Sequence, residues 1–364
     1  MYLENGNKYL CSGCTACKTI CPVNAIEMVR DEEGFKYPVI NKEKCIECNI
    51  CKDVCPNVKK SSENNMLEAY GAKLKDLESR KTSRSGGVFI ALSDYILNQN
   101  GIIYGSALNK DFSVSHLRAT TPSERDLFKG SKYVQSDMKD IINQVIQDLK
   151  SGKKVLFSGT PCQVSGLLSV IPKEIQENLF TIDLLCHGVP SNMVYEDFLK
   201  YIEEKEKKKI KEFIFRDKSF GWSTHYETSI FEDGSKITTG IFKSLFYGHN
   251  ILRPACFKCN YANTNRPADI SIADFWGIDK INPEFYDEKG VSLAIINTKK
   301  GKSIFEKVKQ EIDIAECSLE DCIKYACMLR CPSEEPETRE EFWEDYKKES
   351  FENIIKKYTK CKDV

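Results

Sequence analysis

The sequence predicts two unlike structural units: a small, cysteine-dense α+β module, then a larger α/β region on a mixed, partly parallel sheet flanked by helices. Three observations predict this. Eight of the 17 cysteines fall before residue 56, in two runs of identical spacing. A polar, turn-rich stretch from Asn57 to Asn65 follows and reads as a linker. Beyond it, strand patterns alternate with helical ones, and two buried-type strands are each followed by a helix, which makes them parallel neighbours in one sheet.

The first cysteine run is Cys11, Cys14, Cys17 and Cys21, closed by Pro22; the second is Cys45, Cys48, Cys51 and Cys55, closed by Pro56. Three thiolates at two-residue intervals wrap a tight loop around one 4Fe-4S cubane, while the fourth, held by its proline, reaches the other cluster. The expected ligand sets are therefore Cys11, Cys14, Cys17 and Cys55 for one cluster, and Cys45, Cys48, Cys51 and Cys21 for the other. The segment from Ala25 to Asn41 fits the strand, turn and strand of such a module. A pair of zinc sites is the alternative, but zinc rarely uses a doubled four-cysteine run. From residue 6 to 58 the chain resembles bacterial-type two-cluster ferredoxins, which implies single-electron transfer through two 4Fe-4S clusters.

The chain has 364 residues, 41% of them hydrophobic, enough for two or three folding units. Lysine plus arginine (53) balances aspartate plus glutamate (54), so nothing points to nucleic acid or a membrane surface. The start lacks the basic and apolar regions of a signal peptide, and no apolar run is long enough to span a bilayer, so the protein is expected to be cytoplasmic. There, cysteine richness signals metal ligation rather than disulfides.

In the larger region, residues 69–75 read as a strand, Ser83 to Gly87 as a loop, and 88–97 as a helix. Two strands joined at Asn109-Lys110-Asp111 follow, then an amphipathic helix over 138–150. The strand at 153–158 leads to a helix starting near Pro161, with Thr160 as N-cap. The strand at 179–185 leads to a helix from about Asn192. FIFRDK, HYETSIF and KITTG come next, the last two flanking a turn at Asp233-Gly234. Residues 268–275 and 291–298 are strands, and two helices are expected in the last hundred residues.

Cys162 and Cys186 each lie just past the carboxyl end of one of the paired strands, so both thiols emerge at the sheet edge where open α/β folds build ligand sites. The helix start at Cys162 favours a thiolate. With Cys256 and Cys259, a C-x-x-C pair, they supply four thiolates, enough for a third 4Fe-4S cluster. Small buried hydrophobes, or half a zinc site, are the competing readings.

The segments SRSGGVFIAL, KGSKYVQS, VLFSGTPCQVSGL, DLLCHGVPS, CFKCNYANTNRPADISIADFWG and GVSLAIINTKKG, in that order, resemble the family of coenzyme F-420 hydrogenase/dehydrogenase beta subunits. The resemblance runs from about residue 66 to 335. It implies an FAD-dependent oxidoreductase in which the flavin exchanges electrons with 4Fe-4S clusters and hydride with coenzyme F-420 or another small organic substrate. It implies Cys162, Cys186, Cys256 and Cys259 as ligands of the third cluster. The corresponding division is a ferredoxin domain over 1–62, a flavin-binding region over 66–145, a catalytic region over 146–335, and a charged helical tail over 336–364.

For the FAD pyrophosphate, the loop Ser83, Arg84, Ser85, Gly86 and Gly87 offers glycines for close approach, helix N–H groups and a cation; an ordinary capped helix start explains it equally well. The resemblance also places Lys129, Ser131, Lys132 and Tyr133 at the flavin, although lysines are commonly just solvated. The turn Ser158, Gly159, Thr160 lies beside Cys162. In Asp274-Phe275-Trp276-Gly277, Phe275 reads as core. No G-x-G-x-x-G fingerprint supports a nicotinamide site. His187 is a candidate proton carrier, or a histidine satisfied by its neighbours. Cys317, Cys322, Cys327 and Cys331 lack a recognised ligand spacing, and Cys361 reads as a free thiol.

The partner is expected to be a redox protein or a small-molecule hydride donor or acceptor. Two rivals remain: an electron-transfer subunit that relays electrons to a larger oxidoreductase without a substrate of its own, and a reducible-thiol enzyme built on Cys162.

Overall fold

The computed structural model describes residues 1–58 and 66–359. Most of the expected linker, and Cys361, lie outside the described residues.

In the small module, α1 (Tyr2–Asn5) and α2 (Ala16–Ile20) precede an antiparallel hairpin of β1 (Ile26–Arg30) and β2 (Lys36–Ile40), and α3 (Ile50–Asp53) follows. The hairpin turn is tied by Asp31, whose Oδ1 accepts the amides of Glu33 and Phe35 at 3.1 and 2.8 Å. The two cysteine runs are built alike. Gly13 and Glu47 hold equivalent places at φ 72° and 55°, and Thr15 and Asn49 do so at 66° and 58°.

The large sheet has eight strands, built from β3 (Glu68–Leu74), β4 (Ile102–Leu108), β5 (Val114–Ala119), β6 (Val155–Gly159), β7 (Leu179–Leu184) and strands from the C-terminal half. Between them come α4 (Leu77–Thr82), α5 (Val88–Leu97), α6 (Pro122–Asp126), α7 (Ile141–Lys150) and α8 (Pro161–Val170). After β7, α9 (Asn192–Glu206) leads to a separate three-stranded sheet of β8 (Ile210–Ile214), β9 (Glu227–Phe231) and β10 (Lys236–Thr239), then α10 (Ile241–Tyr247). The chain returns to the large sheet through β11 (Ile270–Asp274), α11 (Ile278–Ile281), β12 (Ser292–Ile296), α12 (Lys299–Val308) and β13 (Ile312–Cys317). It closes with α13 (Leu319–Tyr325), α14 (Arg339–Tyr346) and α15 (Phe351–Tyr358).

Strand order is β13-β3-β12-β11-β7-β6-β4-β5. The central four, β11, β7, β6 and β4, are parallel, and antiparallel strands flank them on both sides. This is the expected mixed, partly parallel sheet. Val88, Leu92 and Ile96 of α5 join Ile304 and Phe305 of α12 in one core layer. Val145 of α7 and Val164 and Leu167 of α8 belong to another.

Local choices at three points set the backbone around the cysteines and the SRSGG loop. Thr160 caps α8 with Pro161 in its first turn; Ser191 caps α9, its hydroxyl accepting the Met193 amide at 3.1 Å. Gly86 sits where any side chain would strike the Ala72 carbonyl and the Ser292 amide, so only glycine lets this loop lie on β3 and β12.

The last hundred residues hold more than the two expected helices. The edge strand β13 hides in IDIAEC, where Asp313 and Glu316 interrupt the apolar residues. The charged tail is no solvated appendage: Phe342, Trp343, Ile354 and Ile355 are buried in one core with Phe198, Phe213 and Phe242.

Candidate functional site

Cys11, Cys14 and Cys17 line one cavity with Cys55, which reaches it from the other run; Met28 and Pro38 complete an apolar wall. Burial pushes the Cys14 thiol up to about 12, and neighbouring thiols, Cys11 first, add to the effect. Cys17 is raised by burial, then by Cys14, Cys11 and Cys55. Thiolates gathered this way are costly without cationic iron, so the donor set fits a cluster. The second run lies at the surface: Cys48 and its neighbour Ile46 are exposed. Cys51 there is raised by burial and then by Cys48 and Cys45. The Cys21 sulfur accepts the Ala25 amide at 3.2 Å.

At the sheet edge, β6 and β7 run parallel, with Ser158 beside Ile182. Cys162 leaves the first turn of α8 and Cys186 lies past β7. Cys256 and Cys259 arrive on the connection from α10 to β11. Burial raises Cys186 to about 12, and Cys162 and Cys259 add to it. Cys256 is raised by burial, then by Cys186, Cys259 and Cys162. Cys259 stands at about 11, through burial first and then Cys162. Four thiols from three separate elements thus share one nest. Among the described residues, no three His, Cys, Asp or Glu side chains converge tightly enough for a single ion. Four thiols are the number a 4Fe-4S cubane takes, one for each iron, so the donor set is compatible with a third cluster.

The first and third thiol sets adjoin. Cys14 is among the residues influenced by Cys162. A Cβ added at Gly166 of α8 would stand 2.6 Å from the Cys14 Cβ and 2.8 Å from its Sγ. Glycine here lets the helix carrying Cys162 lie directly on the ferredoxin loop.

The loop before α5 ends in a second polar cluster. Arg84 donates Nη2–H to the Trp222 carbonyl at 2.7 Å and sets Nε 3.7 Å from the Asp274 carboxylate, while its buried Nη1 has no partner. Asp274 also accepts Arg216 Nη1–H and Trp222 Nε1–H, each at 2.7 Å. Lys218 donates to the carbonyls of Arg80 and Ser83, and burial, then Arg84, lowers it to about 8. Trp222 stacks on the half-exposed Trp276 at 5.0 Å. Tyr133 lies 4.6 Å from His225, and Tyr247 touches both His225 and His187 at 5.4 Å. Burial, followed by Arg216 and Arg84, depresses His225 to about 3.

Residues 152–321 match the model for the C terminus of the coenzyme F420 hydrogenase/dehydrogenase beta subunit, and residues 10–58 match the 4Fe-4S dicluster domain. Over those residues the chain is similar to that family of beta subunits, with the dicluster domain matched in front. Among similar proteins is the F subunit of the F(420)H(2) dehydrogenase of Methanosarcina mazei, 25% identical over 321 residues, 84% of either chain. A chain of the F420-reducing [NiFe] hydrogenase complex from Methanosarcina barkeri aligns with a TM-score of 0.52 at 20% identity, over 73% of this chain and 90% of that one. At that identity the likeness is one of fold. No described helix is long and apolar enough to cross a membrane.

The residues singled out in the sequence divide by placement. Arg84 and Tyr133 join the polar cluster. Ser83 and Ser85 instead donate to the carbonyls of Ser79 and Val291, each at 2.8 Å. Lys129 reaches Thr82 at 3.1 Å and Asp126 at 3.0 Å. Lys132 turns onto the carbonyls of Leu127, Lys129 and Gly130, and burial lowers it to about 7. Ser131 is half-buried in the same loop. The Ser158 carbonyl accepts from His116, Gly159 lies against Phe157, and the Thr160 hydroxyl sits 3.2 Å from the Cys162 sulfur. Phe275 is core, 1% exposed.

His249 donates Nδ1–H to the Glu334 carbonyl at 2.9 Å, which leaves its Nε2 to accept the proton on His187 Nε2, 2.7 Å away. A strap from Ser333 to Arg339 holds this corner. Ser333 bonds the His187 carbonyl, Tyr9 donates to Glu335 at 2.6 Å, and Arg339 pairs with Glu33 of the small module. Cys317 donates its S–H to the Ala315 carbonyl at 3.5 Å and Cys322 is buried, while Cys327 and Cys331 stand exposed.

Sequence reading did not reach Arg216, Lys218, Trp222, His225 or Tyr247. They sit between β8 and the end of α10, and no spacing rule links them to Arg84.

Proposed function

We propose that the chain is an iron–sulfur flavoprotein oxidoreductase passing electrons between 4Fe-4S clusters and FAD. One observation carries the reading: a continuous series of sites runs from the exposed Cys48 loop, through the Cys11 set, across Gly166 to the Cys162 set, and on through His187 and Tyr247 to Arg84. Cys11, Cys14, Cys17 and Cys55 would hold one cluster, Cys45, Cys48, Cys51 and Cys21 the second, and Cys162, Cys186, Cys256 and Cys259 the third. Bound FAD would supply the exchange of single electrons for hydride, with coenzyme F-420 or another small organic molecule as partner.

The chain's own groups divide the remaining work. The unpartnered, buried Arg84 Nη1 fits a phosphate oxygen, and Lys218 adds positive charge beside it. Tyr133, His225 and Tyr247 would present an aromatic wall to the flavin. His187 holds a proton at Nε2, shared toward His249. A reducing compartment suits so many free thiols, so the reading places the protein in the cytoplasm.

The second reading is an electron-transfer subunit docked on a larger oxidoreductase. The exposed Cys48 loop, with Ile46 61% and Ile50 37% exposed, favours it, and the Methanosarcina proteins named above are a subunit and a complex.

The test is iron, sulfide and FAD per chain in anaerobically purified protein. About twelve irons, four for each of three clusters, with one FAD is the expected result. About eight irons and no flavin would overturn the assignments of the Cys162 set and of Arg84.

A further inference from the structure

Burying an arginine without a carboxylate is costly, because the guanidinium loses water and gains no counter-charge. Five of the buried arginines obey that rule: Arg80 pairs with Asp287, Arg125 with Asp94 and Asp126, Arg216 with Asp274, Arg266 with Asp183, and Arg339 with Glu33.

Arg253, 0% exposed, does not. It comes from the large region, just ahead of Cys256, yet its head lies inside the ferredoxin module. Its partners are neutral: the carbonyls of Cys11 (2.7 Å) and Lys36 (3.0 Å), and Gln135 Oε1 (2.7 Å). Its carbon lies 4.2 Å from the Tyr37 ring centre, and Nη2 points at the Cys11 sulfur, 3.7 Å away. No carboxylate lies at ion-pair distance among the described residues. The group it faces is the four-thiol cavity, and a 4Fe-4S cluster with four thiolates is an anion that gains one more negative charge on taking an electron.

The second run lacks this arrangement. Gly13 makes room for Arg253: a Cβ there would stand 3.0 Å from Nη1. The equivalent place in the other run is Glu47, an exposed acid. One loop therefore admits a buried cation, while its twin carries a solvated anion. Net charge, hydrogen bonds to sulfur and exposure set cluster potentials. Burial alone disfavours the more negative reduced form of the inner cluster, whereas the unpaired buried cation favours it and the Glu47 anion disfavours reduction of the outer one; at such close range the charge outweighs the burial.

We propose that Arg253 is a positioning residue that supplies the counter-charge of the cluster held by Cys11, Cys14, Cys17 and Cys55, raising its potential above that of the cluster held by Cys45, Cys48, Cys51 and Cys21. This rests on the two-cluster reading of the small module. The first electron delivered to the module then settles on the inner cluster, beside Gly166 and the third thiol set, rather than on the exposed one.

The test is an EPR-monitored reductive titration of the full chain, alongside iron analysis, for the wild type and for Arg253→Lys, Arg253→Gln and Gln135→Glu. The last leaves Arg253 in place and gives it a carboxylate. In the wild type, the two ferredoxin-type clusters should differ at least tenfold in reduction equilibrium, 59 mV for a one-electron couple. Arg253→Gln and Gln135→Glu should lower the higher potential by at least that tenfold and leave the lower one in place; Arg253→Lys should restore it. Equal potentials in the wild type would overturn the proposal, as would an unmoved higher potential in Gln135→Glu at full iron content. Wild-type protein lacking the two ferredoxin signals would instead sink the cluster reading itself.

Discussion

Replacing Gly166 by alanine tests whether the two halves of the electron path truly meet. In an exposed helix interior the change would stabilise the protein by about 1 kcal/mol, since glycine is the poorer helix former. Here the new methyl group falls 2.6 Å from the Cys14 Cβ and 2.8 Å from its Sγ, where ordinary contact begins at 3.4 Å. Helix and loop must part by roughly 1 Å, and overpacking of this kind costs about 1–3 kcal/mol. The two effects nearly cancel in the weakest case and leave about 2 kcal/mol of destabilisation in the strongest. Stability alone is thus a blunt readout. The displacement is sharper, because it falls on Cys14 and widens the gap between the first and third thiol sets. The assay is rapid-mixing absorbance or freeze-quench EPR, following electrons from the ferredoxin module into the third cluster, with iron content measured in parallel. Slower transfer at unchanged iron is expected. A Gly166→Ala protein about 1 kcal/mol more stable than wild type, transferring electrons at the wild-type rate, would refute the contact and the path drawn through it.

Three further outcomes are expected. Cys186→Ser should lose about four irons per chain and keep about eight, because it belongs to a ligand set that neither ferredoxin run contributes to; uniform loss from all clusters would contradict separate ligand sets. Arg84→Met should weaken FAD retention about tenfold or more, since a charge-assisted hydrogen bond contributes about 1.5–3 kcal/mol, measured as flavin per chain after gel filtration; full occupancy would remove Arg84 from the pyrophosphate site. His116 donates Nε2–H to the Ser158 carbonyl, accepts at Nδ1 from Ser136, and is depressed by burial from 6.5 to about 4. The unfolded chain therefore protonates first as pH falls, so stability present above pH 6.5 should decline by a few kcal/mol toward pH 4. Guanidinium midpoints at pH 7 and 5 should show the decline, and His116→Gln should flatten part of it; an unchanged slope would mean His116 is not held neutral.

Local rules read well where the chemistry is local. The doubled cysteine runs announced a dicluster module because ligand spacing is a geometric demand on a few consecutive residues, and Cys55 does reach into the cavity of the other run. Thr160, Pro161 and the two strands before Cys162 and Cys186 were legible for the same reason: caps and buried strands leave short signatures. What escaped was assembled at a distance. Asp274 gathers Arg84, Arg216 and Trp222 from three parts of the chain, and only the fold joins them. The glycines of the SRSGG loop looked suited to phosphate, yet Gly86 is required by its approach to β3 and β12. Strand β13 escaped because Asp313 and Glu316 interrupt the apolar run that marks a central strand; the tail was legible as helix, but its burial was not, because its charged residues outnumber four buried apolar side chains.

The strap has a consequence for biosynthesis. Arg339 grips Glu33 across a sequence separation of 306, so the small module is fastened by a segment synthesised long after it. Closing so long a loop carries an entropic cost that grows only slowly with length, but such non-local contacts form late and slowly. Throughout synthesis the ferredoxin loops stand open, without Arg253 and without the clasp. In that interval iron reaches the inner thiol set most easily, because the clasp and Arg253 afterwards cover part of it.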